Sequence, residues 1–288
     1  MRTLFAFFGL TYLASWSLFA GAARLAELAT PGALAASTLV RLLGVIMPSL
    51  VALALTAWQE GAAGTGRLLQ GLARWPREAW LWVFAAFFIA TIKLTVALIH
   101  RLAFGGWPTF GAGSALGVLG MFAAILVSTP VQAGEEIGWR GFALPRLSDR
   151  IGLPAASVVL GVLWAAWHIP LFFASAGDTY GQSFAVYLVG VTALSVVLAW
   201  LYWRGDGSLI LIMFAHAAIN NTKDIVPSAS APSDSPWTLT ASPVAWIAAG
   251  LLWLVAGALL LRMRGARLEV IAASAGAFPR EPRRHSRE

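Results

Sequence analysis

Long apolar runs broken by short polar clusters dominate the chain. A helix needs about 20 mostly apolar residues to cross a hydrocarbon core of roughly 30 Å. Eight stretches reach or approach that length: 4–22, 42–58, 79–99, 114–133, 151–173, 183–203, 208–219 and 244–261. The seventh is short and carries His216 and Asn220 near its end, which predicts partly irregular backbone there. Between the second and third, residues 62–78 place Leu68, Leu69, Leu72 and Trp75 among Arg67 and Arg77, the pattern of an amphipathic helix lying in the membrane interface. Residues 222–240 are rich in Ser and Pro and predict an irregular loop.

Composition removes the soluble alternative. The chain of 288 residues is 59% hydrophobic and 11% charged, with a mean hydropathy of +0.75. Soluble domains run at about 45–50% apolar and about 25% charged, so this chain lacks the polar surface to face water. Runs of this length satisfy their backbone inside a bilayer as helices, and the fold expected is an all-α polytopic membrane protein of about eight transmembrane helices. One helical domain is expected over 1–262, with a basic, disordered cytoplasmic tail over 263–288. After Leu261 the chain holds seven arginines against Glu269, Glu281 and Glu288, a surplus suited to anionic lipid. There is no cysteine, which excludes disulfides, thiolate metal sites and cysteine nucleophiles. The net charge of +7 does not indicate nucleic-acid binding, because the arginines flank apolar runs and form no single stripe.

Orientation follows from the loops. With the amino terminus inside, the inner set is Arg2, Arg67, Arg74, Arg77, Arg140, Arg146, Arg150, Arg204, Arg262, Arg264, Arg267, Arg280, Arg283, Arg284 and Arg287. The outer set is Arg24, Arg41, Arg101 and Lys223, and Lys93 falls within the third stretch. Fifteen against four argues for eight spans with both termini cytoplasmic. A signal-peptide reading of residues 1–23 leaves seven spans and gains nothing in charge logic.

Ionisable groups in or beside spans are costly and mark candidate functional sites. Glu135 and Glu136 follow the fourth stretch, in the string Gly134-Glu135-Glu136-Ile137-Gly138-Trp139-Arg140-Gly141. Glu136 and Arg140 stand four apart and can pair on one helix face; Glu135 is rotated about 100° away. Trp164 and His168 share the same spacing in the fifth stretch, as do His216 and Asn220 in the seventh. A carboxylate in a dry site can act as general base on water. Imidazoles and an amide can move its proton and hold an oxyanion. The set suits peptide-bond hydrolysis by activated water. Each residue also has a structural reading: a helix-end ion pair, a hydrogen-bonded core histidine, an asparagine gluing helices. Lys93 is expected to snorkel toward the outer interface.

The joint pattern, Glu135-Glu136-xxx-Arg140, an aromatic four residues before His168, then His216-xxx-Asn220, resembles the CPBP family. These are the type II CAAX-processing and bacteriocin-processing intramembrane proteases, also called Abi proteins. The resemblance covers a core of about 115–222, and implies Glu135 as general base with His168 positioning water. Glu136 and Arg140 would orient and balance the site, and His216 with Asn220 would hold the oxyanion. The family's second motif usually carries Phe where this chain has Trp164, which is expected to wall the substrate pocket and reshape it. The family is often labelled metalloprotease. Glu135, His168 and His216 are possible ligands for zinc, but there is no His-Glu-x-x-His helix and the three come from separate stretches, so metal-free chemistry is expected.

The implied substrate is a membrane-associated peptide or protein, with the lipid bilayer as surroundings and no nucleic acid. The implied location is a bacterial inner membrane, with the active site opening toward the cytoplasm. Two other readings use the same residues: a non-catalytic, bacteriocin-immunity-type binding protein on this scaffold, and a proton-coupled transporter. Transporters often carry paired broken-helix repeats, and this chain shows no internal repeat.

Overall fold

A computed structural model describes residues 2–111, 114–174, 179–228 and 235–268. Among them all regular structure is helical: α1 (Arg2–Glu27), α2 (Pro31–Gln70), α3 (Ala79–Phe104), α4 (Ala115–Ser128), the short α5 (Ala133–Glu136), α6 (Leu144–Trp167), α7 (Phe184–Arg204), α8 (Leu209–Thr222) and α9 (Pro243–Arg262). A 3₁₀ turn (Thr129–Gln132) precedes α5 and a π-helical segment (Ile137–Ala143) follows it. Each apolar stretch of the sequence falls on this helical framework, and the chain is an integral membrane protein.

Among the described residues, six helical runs are long and apolar enough to cross a membrane. One of the six, Leu116–Trp167, takes in most of both the fourth and the fifth stretch. It bends at Gly152, whose φ of 77° only glycine adopts without strain. The seventh stretch is α8, whose 14 residues extend about 21 Å. Residues 62–70 continue α2 beyond a break at Gly61 (φ 64°), and 71–78 is non-helical, so the interfacial helix is shorter than expected. The Ser/Pro-rich loop contains one 3₁₀ turn, Lys223–Ile225, and its residues 229–234 lie outside the described set.

Pro48 shows how sequence becomes packing. Lacking an N–H, it leaves the carbonyl of Gly44 without its helical partner, and that oxygen accepts the Ser15 hydroxyl of α1 at 2.8 Å. Beside it, a Cβ on Gly44 would meet the Phe19 ring at 2.5 Å, so the missing side chain lets α1 and α2 close together. Further polar groups of α1 tie it to α6, where apolar surroundings offer no competing water. Trp16 Nε1–H donates to the Trp167 carbonyl at 3.0 Å, and the Tyr12 hydroxyl donates to that of Leu163.

The connecting segments gather at two opposite ends. At one, the Leu209 amide donates to Gly71 O, Arg74 to Asp206 O, and Arg146 to Glu60. The Leu153 amide reaches Ala266 O there, and Arg267 reaches Asp149 O. Residues 263–268, the start of the expected tail, therefore pack onto α6, with Met263 and Leu268 buried. The rest of that tail, 269–288, lies outside the described residues. At the other end Gly111 N–H donates to Ile225 O, Phe184 N–H to Pro236 O, and the Ser183 hydroxyl to Thr238 O.

Candidate active site

The segment carrying both glutamates is held from the side by α2. The Ser49 hydroxyl donates to Ala133 O at 2.6 Å and accepts from the Gly138 amide at 3.3 Å. A Cβ on Gly138 would sit 2.5 Å from the Pro48 carbonyl, so only glycine allows this approach. The chain then widens into the π-helical turn, a local distortion found mostly at functional sites.

Two side-by-side pairs at i and i+4 divide the acids. Glu136 is fully buried and accepts from the equally buried Arg140 at 2.8 and 3.1 Å. His216 Nδ1 lies 2.6 Å from Glu136 Oε1 and donates to it, which leaves Nε2 free to face the cavity. Glu135 instead has Oε2 held by two indole N–H groups, Trp164 at 2.8 Å and Trp139 at 3.3 Å. Its Oε1 has no protein donor among the described residues.

Trp164 joins these elements. Its ring lies 4.4 Å beneath the Arg140 guanidinium and meets the His168 and His216 rings edge-on, at centroid separations of 5.7 and 5.3 Å. The cation–π contact faces a guanidinium whose Nε and Nη2 are buried without hydrogen-bond partners. His168 caps the C-terminus of α6, just before Pro170. Its Nδ1 donates to Trp164 O at 2.7 Å, which again presents Nε2.

Glu135, Trp164, His168, His216 and Asn220 line one cavity of about 1280 Å³. Glu136 and Arg140 lie behind that wall. Asn220 is exposed to the cavity, whereas its neighbour Asn221 donates to Ser128 and to Ala217 O as interhelical glue. Trp139 and Ser49 were not singled out from the sequence. The i+4 spacing from Glu135 was signal enough for the first; nothing local announces Ser49, 84 residues before Ala133.

One expectation changes. Lys93 does not snorkel: it is buried, donating to Val226 O at 2.9 Å and to Ser228 at 2.6 Å, and so fastens the loop beyond α8. The cavity reaches the loops around Gly181, Ser228 and Thr240, and no residue of 60–78, 140–152, 204–208 or 262–268 lines it. Those four segments form the arginine-rich end.

The residues do not fit the zinc site raised from Glu135, His168 and His216. Among the described residues, no three His, Asp or Glu side chains are grouped to hold a metal ion.

Comparison with known proteins adds two findings. Residues 115–222 match the family described as type II CAAX prenyl endopeptidase, Rce1-like. The chain is also 29% identical over 98 residues to CAAX prenyl protease 2 of Methanococcus maripaludis, a match covering 32% of this chain and 36% of that protein.

Proposed function

We propose, from the match of residues 115–222 to the Rce1-like family of type II CAAX prenyl endopeptidases, that this protein is an intramembrane endopeptidase. It hydrolyses a peptide bond in a membrane-associated peptide or protein. The observation that carries the reading is one cavity lined by Glu135, His168, His216 and Asn220, with Glu135 Oε1 left without a protein donor.

The chemistry follows from that placement. Glu135 Oε1 takes a proton from a water molecule as its oxygen attacks the scissile carbonyl carbon. Trp164 and Trp139 hold the other carboxylate oxygen, so the basic oxygen has one direction to face. The carbonyl electrons move onto oxygen, and Asn220 donates to the oxyanion. His216, anchored through Nδ1 on Glu136, presents Nε2 at the same position. Collapse of the tetrahedral intermediate breaks the C–N bond. The proton held by Glu135 passes to the leaving amine, with His168 Nε2 assisting the transfer. Glu136 and Arg140 touch no reacting atom; they hold His216 in register.

The test is reconstitution in liposomes with a membrane-anchored peptide. Glu135→Gln and His168→Ala are expected to abolish cleavage that the wild type performs. If both variants cleave like wild type, the assignment is wrong. Supporting an integral protein of a bacterial cytoplasmic membrane, with both termini inside, are the alternation of connecting segments between two ends and the gathering of arginines at one.

A further inference from the structure

We infer that Gln132 holds the substrate, its carboxamide pairing with the backbone N–H and C=O of one extended residue beside the cleaved bond. The inference rests on the endopeptidase reading and adds a residue that the hydrolysis itself does not use.

Gln132 is only 7% exposed and lines the cavity. Its side chain has no hydrogen-bond partner among the described residues, and neither amide atom is sealed from open space. Other polar groups of the wall are already engaged. Lys93 is spent on Val226 O and Ser228, and His216 Nδ1 on Glu136. An amide taken out of bulk water is costly to leave unpaired. The open donors and acceptor of Gln132 therefore mark a group placed for a ligand.

The backbone on both sides of Gln132 is fixed. Asn221 donates to the Ser128 hydroxyl at 2.7 Å, and the Ser49 hydroxyl to Ala133 O at 2.6 Å. Gln132 has helical dihedrals and leads directly into α5. It therefore stands one turn before Glu135 on the same face, about 5–6 Å away between Cβ atoms, where the proposed mechanism places the attacking water. A primary carboxamide carries a donor and an acceptor side by side. One residue of an extended chain turns its N–H and C=O the same way, as in the paired hydrogen bonds between antiparallel strands. The two edges match. An extended peptide advances about 3.3 Å per residue, so the residue held lies within about two of the scissile bond. Such a grip reads backbone and not side chain. It also requires the substrate to be unwound here, because in a helix interior both backbone groups are already paired.

The test is a series of membrane-anchored peptides cleaved by the full chain in liposomes. In each, one backbone amide within two residues of the scissile bond is replaced by an ester, which removes an N–H and weakens the carbonyl as acceptor. For the wild type, one ester position is expected to lower kcat/KM by about tenfold. Gln132→Met keeps the side chain's length without its polar atoms. It is expected to cleave the all-amide peptide about tenfold less efficiently and to show no further loss at that ester. Its unfolding temperature in detergent should not fall, since no protein group loses a partner; a fall marks a structural role and overturns the inference. Gln132→Leu takes its place if Gln132→Met does not fold. Cleavage of the all-amide peptide at the wild-type rate overturns the inference as well. So does a loss equal for every peptide of the series, which would make Gln132 a holder of the attacking water. Absence of cleavage by the wild type sinks the endopeptidase reading and this inference with it, whereas cleavage with fully additive penalties sinks this inference alone.

Discussion

Glu135 and Glu136 are neighbours in the chain and occupy opposite kinds of environment. Glu136 is enclosed, with Arg140 on one side and His216 on the other. Glu135 has one oxygen held by two indoles and stands in the cavity wall. A sealed carboxylate survives only because opposite charge and hydrogen bonds meet it on every side, and those partners also occupy the lone pairs that chemistry requires. The half-satisfied carboxylate costs less to keep and retains an oxygen able to take a proton. Two identical side chains thus divide into a post and a tool.

Mutation of each should separate these roles. Glu136→Ala strands the Arg140 guanidinium in a dry interior and is expected to cost about 3–5 kcal/mol of stability. Thermal unfolding in detergent would show the loss, and a variant as stable as wild type would refute the enclosed ion pair. Glu135→Gln keeps shape and an acceptor oxygen for the indoles. It is expected to lower the cleavage rate by about 10²–10⁴-fold with an unchanged unfolding temperature. A parallel drop in stability would place Glu135 with the posts.

Trp164→Phe removes one N–H from Glu135 while keeping a ring over Arg140. A hydrogen bond to a charged group is worth about 1.5–3 kcal/mol, so kcat should fall by roughly 10–100-fold, with KM little changed. A change confined to KM would make Trp164 a pocket wall only.

The smallest effect is expected at Gly190, which lines the cavity in mid-α7 with nothing within 4 Å of where its Cβ would stand. At Gly161, by contrast, a Cβ would meet Thr192 Cα at 2.8 Å. Gly190→Leu should preserve folding and raise KM a few-fold for substrates with bulky side chains, read from a peptide series. Gly161→Leu should fail to fold, and equal tolerance at both positions would erase the distinction.

Much of this was legible beforehand in particular residues. The i,i+4 spacings announced the Glu136–Arg140 pair and the contact between Trp164 and His168, because helical geometry brings such positions together whatever the tertiary fold. The same rule reaches Trp139 from Glu135. Lys93 was not legible. Whether a long cation snorkels or turns inward depends on acceptors such as Val226 O, more than 130 residues away. The bend at Gly152 fared likewise, since a hydropathy run does not reveal where a helix breaks.

The sequence alone determined that the chain lives in a bilayer as helices, because its apolar runs leave no other way to satisfy the backbone. It also determined which side chains can pair within a helix and which loops carry the cations. Only the tertiary structure decided which glutamate is enclosed, which asparagine faces the cavity, and which end the cavity meets. Those outcomes depend on the approach of separate helices, set by Pro48 and Ser49 beside Gly138 and by His216 against Glu136, and local spacing carries no information about such meetings.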